Sequence, residues 1–295
     1  MNMKNLLSDL KIAWTGQAAL GELGIWHPIE KRLYWIDITK GHINRMDVET
    51  GENQYIVVSG ILGAVVGRAK GGMLATLSNK IISFNFPNHE FETIATVFPA
   101  DRKDLRMNDG KCDRRGRFWI GVASQEKTGH GGLYRYDTDG TLTLMEEDVI
   151  FSNGLTWSPD NKFFYYVDSA KYCIYKYDFD LDKGTISNRS ILLQLDNVSD
   201  IPDGLTIDQD GFLWLALYNG GKLIRIHPNG EIDNTIMLPV ERPTSCVFGG
   251  DNEKTLFVTS CSRDLHEVET LNSPAGHIFA LQVKIGGISE SLFNG

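Results

Sequence analysis

Residues 201–217 read IPDGLTIDQDGFLWLAL and carry the pattern that decides the fold. An acidic residue and a glycine come first, a short apolar strand follows, and a glycine turn leads into a second apolar strand. The same order appears at residues 153–168, NGLTWSPDNKFFYYVD, and at residues 108–121, NDGKCDRRGRFWIG. Each copy has an oxygen-bearing side chain ten residues before its second strand: Asn108, Asn153 and Asp203. We therefore expect these side chains to occupy equivalent positions.

Six such units follow one another, and their second strands are expected to begin at Leu33, Met73, Phe118, Phe163, Leu213 and Leu256. A period of about 40 to 50 residues is typical of four-stranded propeller blades. Turn signals fall where antiparallel hairpins need them, and helical periodicity is almost absent. We predict an all-β fold, a six-bladed β-propeller of four-stranded antiparallel blades, with residues 1–295 as its single domain. If the sixth blade lacks a strand, Leu10–Trp14 is placed to supply it and close the ring.

Composition excludes several classes of protein. The net charge is −9 and no run of Lys and Arg exceeds two residues, which argues against a nucleic-acid or membrane partner. No segment has the length of a signal-peptide core or a membrane span, so we expect a soluble, cytoplasmic protein without an obligate protein partner. The cysteines lie far apart and are expected to be buried free thiols: Cys112, Cys173, Cys246 and Cys261.

Four oxygen-bearing side chains are predicted to meet at one mouth of the central channel. The first strand of each blade lines the channel, and Glu22, Asn108, Asn153 and Asp203 are expected in the turns that enter four of these strands. Gly63 leaves the second blade without a ligand. Two carboxylates without an evident basic partner repel each other unless a cation lies between them. Oxygen ligands suit Ca²⁺, Mg²⁺ or Mn²⁺, and also Zn²⁺ or Fe²⁺ with water.

A purely structural interpretation competes with this one. Asn and Asp before Gly are common turn formers, so each residue taken singly is more simply explained by its turn. Recurrence at one position of the repeat favours a shared site. No G-x-S-x-G, H-E-x-x-H or phosphate-binding loop occurs, so serine hydrolases, zinc proteases and nucleotide enzymes lack their required motifs.

Five ordered motifs resemble the family of regucalcin (senescence marker protein 30), gluconolactonases and luciferin-regenerating enzyme. They are Leu-Gly-Glu22, Arg106-Met-Asn108-Asp-Gly-Lys, Ser-Asn153-Gly-Leu, Pro-Asp203-Gly and Thr-Ser-Cys-Val-Phe-Gly-Gly. The resemblance covers nearly the whole chain. It implies a six-bladed propeller with one divalent metal ion in the channel mouth and hydrolysis of a small-molecule sugar lactone.

The resemblance also implies roles for individual residues. The metal ligands would be Glu22, Asn153 and Asp203. Asp203 would act in addition as general acid or base, and the substrate contacts would be Arg106, Asn108 and Glu126. Glu126 lies in the loop between the second and third strands of the third unit, a loop that the blade topology also places at the channel mouth.

These parts suggest a mechanism. A cation with open positions polarises the lactone carbonyl, and Asp203 passes a proton from the attacking water to the ring oxygen. Arg106, Asn108 and Glu126 are suited to bind sugar hydroxyls. Two alternatives stay open: a calcium-binding regulatory propeller without turnover, and a hydrolase of a non-sugar ester or organophosphate.

The chain departs from the family pattern at two places, which affects substrate identity more than metal binding. It has Glu22-Leu23-Gly24 where Glu-Gly-Pro or Glu-Ser-Pro is usual, and Gly121-Val122-Ala123 where Gly-Thr-Met is frequent. The loop Ser262–Ala275 is expected to overhang the pocket, and His130 is a lesser candidate for a substrate contact.

Overall fold

The computed structural model describes residues 10–126, 131–263 and 273–295. In this part of the chain, 24 strands form six four-stranded antiparallel sheets. The innermost strands of successive sheets contact one another, and the sixth contacts the first, so the sheets close a ring. The fold is a six-bladed β-propeller, as predicted. The described residues contain no helix with the length and apolarity that a membrane crossing requires.

The first three blades have the following strands. Blade one contains β2 (Gly21–His27), β3 (Arg32–Asp37), β4 (His42–Met46) and β5 (Asn53–Val57). Blade two contains β6 (Leu62–Gly67), β7 (Met73–Leu77), β8 (Lys80–Phe84) and β9 (Phe91–Thr96). Blade three contains β10 (Leu105–Cys112), β11 (Phe118–Ser124), β12 (Gly132–Tyr136) and β13 (Leu142–Glu146).

The other three blades follow the same order. Blade four contains β14 (Ser152–Trp157), β15 (Phe163–Asp168), β16 (Cys173–Asp180) and β17 (Thr185–Gln194), with the 3₁₀ helix Ser169–Lys171 after β15. Blade five contains β18 (Ile201–Ile207), β19 (Leu213–Tyr218), β20 (Lys222–Ile226) and β21 (Ile232–Met237). Blade six contains β22 (Pro243–Gly249), β23 (Thr255–Ser260), β24 (Ile278–Gln282) and, as its fourth strand, β1 (Leu10–Trp14).

The predicted strand positions agree closely with the structure. Four second strands begin where expected, at Met73, Phe118, Phe163 and Leu213. The other two begin one residue early, at Arg32 and Thr255. The predicted closure of the ring is confirmed, because β1 pairs with β24 and so joins the N-terminal strand to the last blade. A closed ring leaves no pairing position vacant between the first and last blades.

The prediction that the site residues stand in turns before the first strands is wrong. Asn108, Asn153 and Asp203 lie within β10, β14 and β18, and Glu22 lies within β2. Each innermost strand contains a β-bulge, where two residues oppose one on the neighbouring strand. Asn108, Asn153 and Asp203 are the first residues of their bulges, whereas Glu22 pairs with Ile36 and directly precedes the bulge of β2. The innermost strand therefore already pairs with the second strand before the bulge, and the bulge changes the direction of the side chains within it.

Apolar clusters between adjacent blades hold the ring together. One cluster joins Tyr165, Val167 and Ile174 of blade four to Leu205 and Leu215 of blade five. An equivalent cluster joins the last blade to the first through residues such as Trp26, Trp35, Val247 and Phe257. All four cysteines are buried and form no disulfide, as predicted. Burial of both faces of nearly every inner strand fixes the positions of the bulges.

Candidate active site

One open cavity of about 480 Å³ lies at the end of the ring where the innermost strands begin. Five residues singled out from the sequence line it: Glu22, Arg106, Asn108, Asn153 and Asp203. They come from four blades and meet because the bulges stand at equivalent heights in the strands. The other lining residues are Leu20, Ile150, Phe151, Ser169, Ala170, Tyr172, Ile201, Tyr218 and Arg263. The cavity therefore combines carboxylates, amides, guanidinium groups and aromatic rings.

A chain of hydrogen bonds connects the amide side chains across blades. Asn108 Nδ2 donates to Asn153 Oδ1 at 2.7 Å and to the Ser152 carbonyl oxygen at 2.7 Å. Asn153 Nδ2 donates to Ser169 Oγ at 2.7 Å, and the Ser169 hydroxyl donates to the Pro202 carbonyl oxygen at 2.5 Å. Asn153 Oδ1 keeps a second lone pair for another ligand. The network fixes both amides before any substrate enters.

The two carboxylates that line the cavity, Glu22 and Asp203, are buried. Glu22 is 7% exposed and Asp203 is 5% exposed. Among the described residues, Asp203 Oδ1 has no hydrogen-bond partner. Burial, reinforced by the negative charge of Asp109, raises the pKa of Glu22 to about 8. Burial and the charges of Glu22 and Asp109 raise the pKa of Asp203 well above its ordinary value.

Asp109 is a third buried carboxylate, which the sequence reasoning overlooked. It is the second residue of the β10 bulge and is 3% exposed. Burial raises its pKa to about 6, while the charges of Lys111 and Arg106 act in the opposite direction. The Nζ atom of Lys111 in turn donates to Glu290 Oε1 at 2.9 Å. The sequence could have indicated Asp109 through its position directly after Asn108, because a β-bulge changes the direction of two successive side chains.

These residues fit a divalent cation. A carboxylate oxygen without a partner, a second buried carboxylate and an amide oxygen are hard oxygen donors of the kind that such ions prefer. The described residues contain no group of three His, Cys, Asp or Glu side chains able to hold a metal ion. The predicted ligand set contains only two such residues, Glu22 and Asp203, and completes its oxygen donors with the amide of Asn153.

Arg106 supplies positive charge on the wall formed by blade three. Its guanidinium carbon lies 5.2 Å from the centre of the Phe151 ring, a cation–π distance. Burial lowers the pKa of Arg106, whereas the charges of Glu22 and Asp203 raise it. The side chain stays positively charged under all ordinary conditions, because an arginine pKa lies far above neutrality.

Two aspartates hold the segments that precede the inner strands. Asp37 accepts hydrogen bonds from the backbone N–H groups of Ala19 and Leu20 at 2.8 and 3.2 Å. Asp168 accepts from those of Ile150 and Phe151, both at 3.0 Å. Leu20, Ile150 and Phe151 line the cavity, so these caps shape its walls without contributing catalytic atoms.

The remaining predicted contacts lie elsewhere. Glu126 follows β11 at the cavity end of blade three, where Leu105 pairs with Ser124, but it is exposed and is not among the described residues that line the cavity. His130 lies outside the described residues, as do residues 264–272 of the predicted overhanging loop. Arg263, the last described residue before that gap, lines the cavity and had not been named individually.

Both departures from the family pattern fall on tightly packed positions. Leu23 has a φ of 39° and is 1% exposed, so a bulky side chain occupies a left-handed backbone position directly after Glu22. Gly121 opposes the β10 bulge, and a Cβ atom there would lie 1.6 Å from Ser152 Oγ of the next blade. Ala123 pairs with Arg106 on the adjacent strand. The departures thus adjoin Glu22 and Arg106.

Comparison with known proteins agrees with this architecture. A family model described as “SMP-30/Gluconolactonase/LRE-like region” matches residues 20–262. Human regucalcin is 37% identical over 270 residues, which cover 88% of this chain and 90% of that protein. A Bacillus subtilis (strain 168) protein named “Putative sugar lactone lactonase YvrE” is 33% identical over 283 residues, covering 95% and 96%. A solved luciferin-regenerating enzyme superposes with a TM-score of 0.88 at 26% identity, covering 95% and 97%.

Fold and site together define a six-bladed propeller with an oxygen-lined cavity at one end of its channel. Five of the six site residues predicted from the sequence line this cavity: Glu22, Arg106, Asn108, Asn153 and Asp203. The chain belongs to the SMP-30/gluconolactonase/LRE-like family.

Proposed function

We propose that this protein is a metal-dependent lactonase that hydrolyses a sugar (aldono) lactone such as gluconolactone to the aldonic acid. The main support is that the proposed metal ligands, Glu22, Asn153 and Asp203, line the same open cavity as Arg106 and Asn108. In addition, Asp203 Oδ1 has no hydrogen-bond partner among the described residues. Membership of a family with gluconolactonase in its description, and similarity to a protein named as a sugar lactone lactonase, support the same class of reaction.

Glu22, Asn153 and Asp203 would hold the divalent ion, with Ca²⁺, Zn²⁺, Mg²⁺, Mn²⁺ and Fe²⁺ as candidates. When bound, such an ion supplies a Lewis acid for the lactone carbonyl and offsets the two buried carboxylates. Arg106 and Asn108 orient the sugar hydroxyls. Glu126 is the third proposed substrate contact, from the rim of blade three.

Asp203 acts as general acid and base. It takes a proton from the water molecule that adds to the carbonyl carbon. The bond between that carbon and the ring oxygen then breaks, and the proton passes to the ring oxygen. One water molecule is consumed, and the ring oxygen becomes a hydroxyl group of the aldonic acid.

The test measures proton release with a pH indicator during hydrolysis of D-glucono-1,5-lactone and related aldonolactones. The purified protein is first stripped with a chelator and then supplied with each divalent ion separately, and the uncatalysed rate is subtracted. We expect catalysis with at least one ion, and a loss of about 100-fold or more in kcat for Asp203→Ala. Near-ultraviolet circular dichroism checks that the variant is folded.

Equal rates for wild type and Asp203→Ala after subtraction would overturn the lactonase proposal. Calcium binding in calorimetry without turnover of any lactone would favour the regulatory alternative. Turnover confined to p-nitrophenyl acetate or an organophosphate would favour the other alternative, a hydrolase of non-sugar substrates.

A further inference from the structure

Ser169 connects two of the proposed metal ligands across a blade boundary. It is the first residue of the 3₁₀ helix Ser169–Lys171, directly after β15 of blade four, and it lines the cavity. Its hydroxyl group accepts a hydrogen bond from Asn153 Nδ2 at 2.7 Å. The same group donates to the carbonyl oxygen of Pro202 at 2.5 Å, and that carbonyl belongs to the peptide bond that leads into Asp203 of blade five. One side chain thus contacts both Asn153 and the backbone that carries Asp203.

These hydrogen bonds determine which end of the Asn153 amide is available to a cation. The carbonyl oxygen of Pro202 can only accept, so the single hydroxyl proton of Ser169 is committed to it. The Ser169 oxygen then offers only lone pairs, and Asn153 must turn its NH₂ group towards it. Asn153 Oδ1 points away from Ser169 as a result, and Asn108 Nδ2 donates to it from the other side at 2.7 Å. The amide therefore presents its oxygen, the atom that can bind a cation.

Blade one shows that this position of the fold does not require a hydroxyl group. Its equivalent of Ser169 is Ile38, whose N–H group donates to the carbonyl oxygen of the second residue before Glu22 at 3.0 Å. The N–H group of Ser169 likewise donates to the carbonyl oxygen of the second residue before Asn153 at 3.0 Å. Either oxygen of a carboxylate such as Glu22 can bind a cation, whereas only one end of the Asn153 amide can. The hydroxyl group thus occurs in the blade whose ligand has to be oriented.

Burial makes the hydrogen bonds of Ser169 hard to replace. Ser169 is 5% exposed and Asn153 is 4% exposed. Without the hydroxyl group, Asn153 Nδ2 and the Pro202 carbonyl oxygen would each lose a partner where little water reaches them. Asn153 would then be held from one side only, by Asn108, and this link between blades four and five would be lost. The consequence should fall on the ligands and not on the fold alone.

We propose that Ser169 is a positioning residue for the cation site. It orients the amide of Asn153 and fixes the spacing at which Asn153 and Asp203, from neighbouring blades, meet one ion. The inference rests on the proposed function, because it concerns two metal ligands named there, and it adds a residue that is not itself a ligand. Hydrogen-bond partners that hold metal ligands in place strongly influence metal affinity.

The experiment measures cation affinity separately from catalysis. Calorimetric titration of the chelator-treated protein with Ca²⁺, Mg²⁺, Mn²⁺ and Zn²⁺, each alone, gives Kd without any substrate. For the ion that binds the wild type most tightly, Ser169→Ala should raise Kd by about 10-fold or more. Ser169→Thr keeps the hydroxyl group and should stay within about threefold of the wild type. Ser169→Cys should lie between them, because a thiol is a weak donor and a weak acceptor.

Ser158→Ala is the matched control. Ser158 directly follows β14 of the same blade and is 7% exposed, and its hydroxyl group donates to Asp160 Oδ1 at 2.7 Å and accepts from the Phe163 N–H group at 2.9 Å. It is not among the described residues that line the cavity. Urea unfolding with chelator should show that both alanine variants lose stability, whereas only Ser169→Ala should lose cation affinity. Should Ser169→Ala fail to fold, the comparison of Ser169→Cys with Ser169→Thr gives the same decision.

The outcomes separate this inference from the proposed function. A Kd for Ser169→Ala within about twofold of the wild type would overturn the inference and leave the metal-dependent lactonase standing. Cation binding that depends on Ser169, in a protein that turns over no lactone, would overturn the lactonase and leave the role of Ser169 standing. Absence of cation binding to the wild type would overturn both.

Discussion

The Asp203 carboxylate is buried, and the charges of Glu22 and Asp109 add to the cost of ionising it, whereas Arg106 reduces that cost. One of its oxygens lacks a hydrogen-bond partner among the described residues, so burial costs this oxygen its hydrogen bonds to water and none of these residues replaces them. A side chain kept at such a cost to stability is expected to serve function. Stability and activity should therefore respond to its substitution in opposite directions.

We predict that Asp203→Asn stabilises the chelator-treated protein. An amide in place of this buried carboxyl group removes the cost of keeping it protonated or charged, and should raise the free energy of unfolding at pH 8 by about 1–2 kcal/mol. The same change should greatly reduce the stabilisation produced by added divalent ions, since an amide is a weaker ligand. Urea unfolding with chelator and with excess cation measures both effects.

The control for this prediction is Asp251→Asn, whose side chain is 70% exposed and pairs with Lys31 at the surface. It should change neither quantity by more than a few tenths of a kcal/mol. If Asp203→Asn responded to cations as strongly as the wild type, Asp203 would not be a ligand.

Among structural elements, the bulge of each innermost strand determines the site. Asn153-Gly154 and Asp203-Gly204 resemble turn sequences, yet both pairs lie inside strands. Their glycines are needed because neighbouring blades approach closely. A Cβ atom on Gly154 would lie 2.2 Å from the Leu205 backbone nitrogen, and one on Gly204 would lie 2.5 Å from Ser245 Cα. The motif thus serves packing between blades as well as chemistry.

We predict that Gly154→Ala weakens both the fold and the site. The new methyl group must push blades four and five apart, at a cost of about 1–3 kcal/mol in unfolding free energy. Because the strain falls between Asn153 and Asp203, the affinity for the divalent ion should also decrease. Thermal unfolding and calorimetric titration with the cation measure the two effects.

Gly51→Ala is the comparison for this variant. Gly51 has a φ of 74°, and the nearest atom to an added Cβ lies 4.0 Å away, so only backbone strain is introduced. The Gly51→Ala variant should lose about 1 kcal/mol of unfolding free energy and keep its affinity for the cation unchanged. Unchanged cation affinity in Gly154→Ala would show that blade spacing does not determine the ligand geometry.

At the scale of the whole molecule, the two ends of the ring differ. One end holds the cavity, and the C-terminal residues 286–295 cross the other. Backbone N–H groups of Gln209, Phe293 and Asn294 join this segment to blades five, two and three. Phe293 is buried and stacks on Tyr136 at 5.6 Å. The site therefore opens at one end of the channel, and its carboxylates are far less hydrated than those on the surface.

This burial predicts an unusual dependence of stability on pH. The pKa of Glu22 is raised from 4.5 to about 8, and that of Asp203 is also raised, so the folded chelator-treated protein retains protons that the unfolded chain releases. Its unfolding free energy should fall as pH rises from 6.5 to 8, by up to about 1.4 kcal/mol per pH unit for each group. Bound cation should abolish this slope, because it replaces the protons.

Urea unfolding midpoints across this range, with chelator and with cation, test the prediction. The lower limit avoids His27 and His42, whose pKa values burial lowers and whose contribution to stability therefore falls below about pH 6.5. Asp203→Asn should show a shallower slope than the wild type with chelator. A flat profile for the chelator-treated wild type would contradict the raised pKa values.

Much of the fold could be predicted because its signals are local. Strand-forming runs, glycine turns and the regular spacing of Met73, Phe118, Phe163 and Leu213 depend on short stretches of chain and on their repetition. The same repetition indicated which side chains share a position. It did not reveal the bulges, since Asn-Gly and Asp-Gly are equally consistent with a turn.

The sequence by itself determined the six-bladed ring, its closure by Leu10–Trp14 and the kinds of oxygen and nitrogen groups at one end of the channel. Only the tertiary structure decided that Arg263 joins the cavity wall and that Glu126 does not. It also decided that the buried carboxylate of Asp109 acts on Glu22 and Asp203, whose pKa values are raised. The physical reason is the distance along the chain over which the different interactions act. Hydrogen-bonding patterns and hydrophobic alternation act between neighbours in the chain, whereas desolvation and Coulomb interactions sum over side chains from several blades.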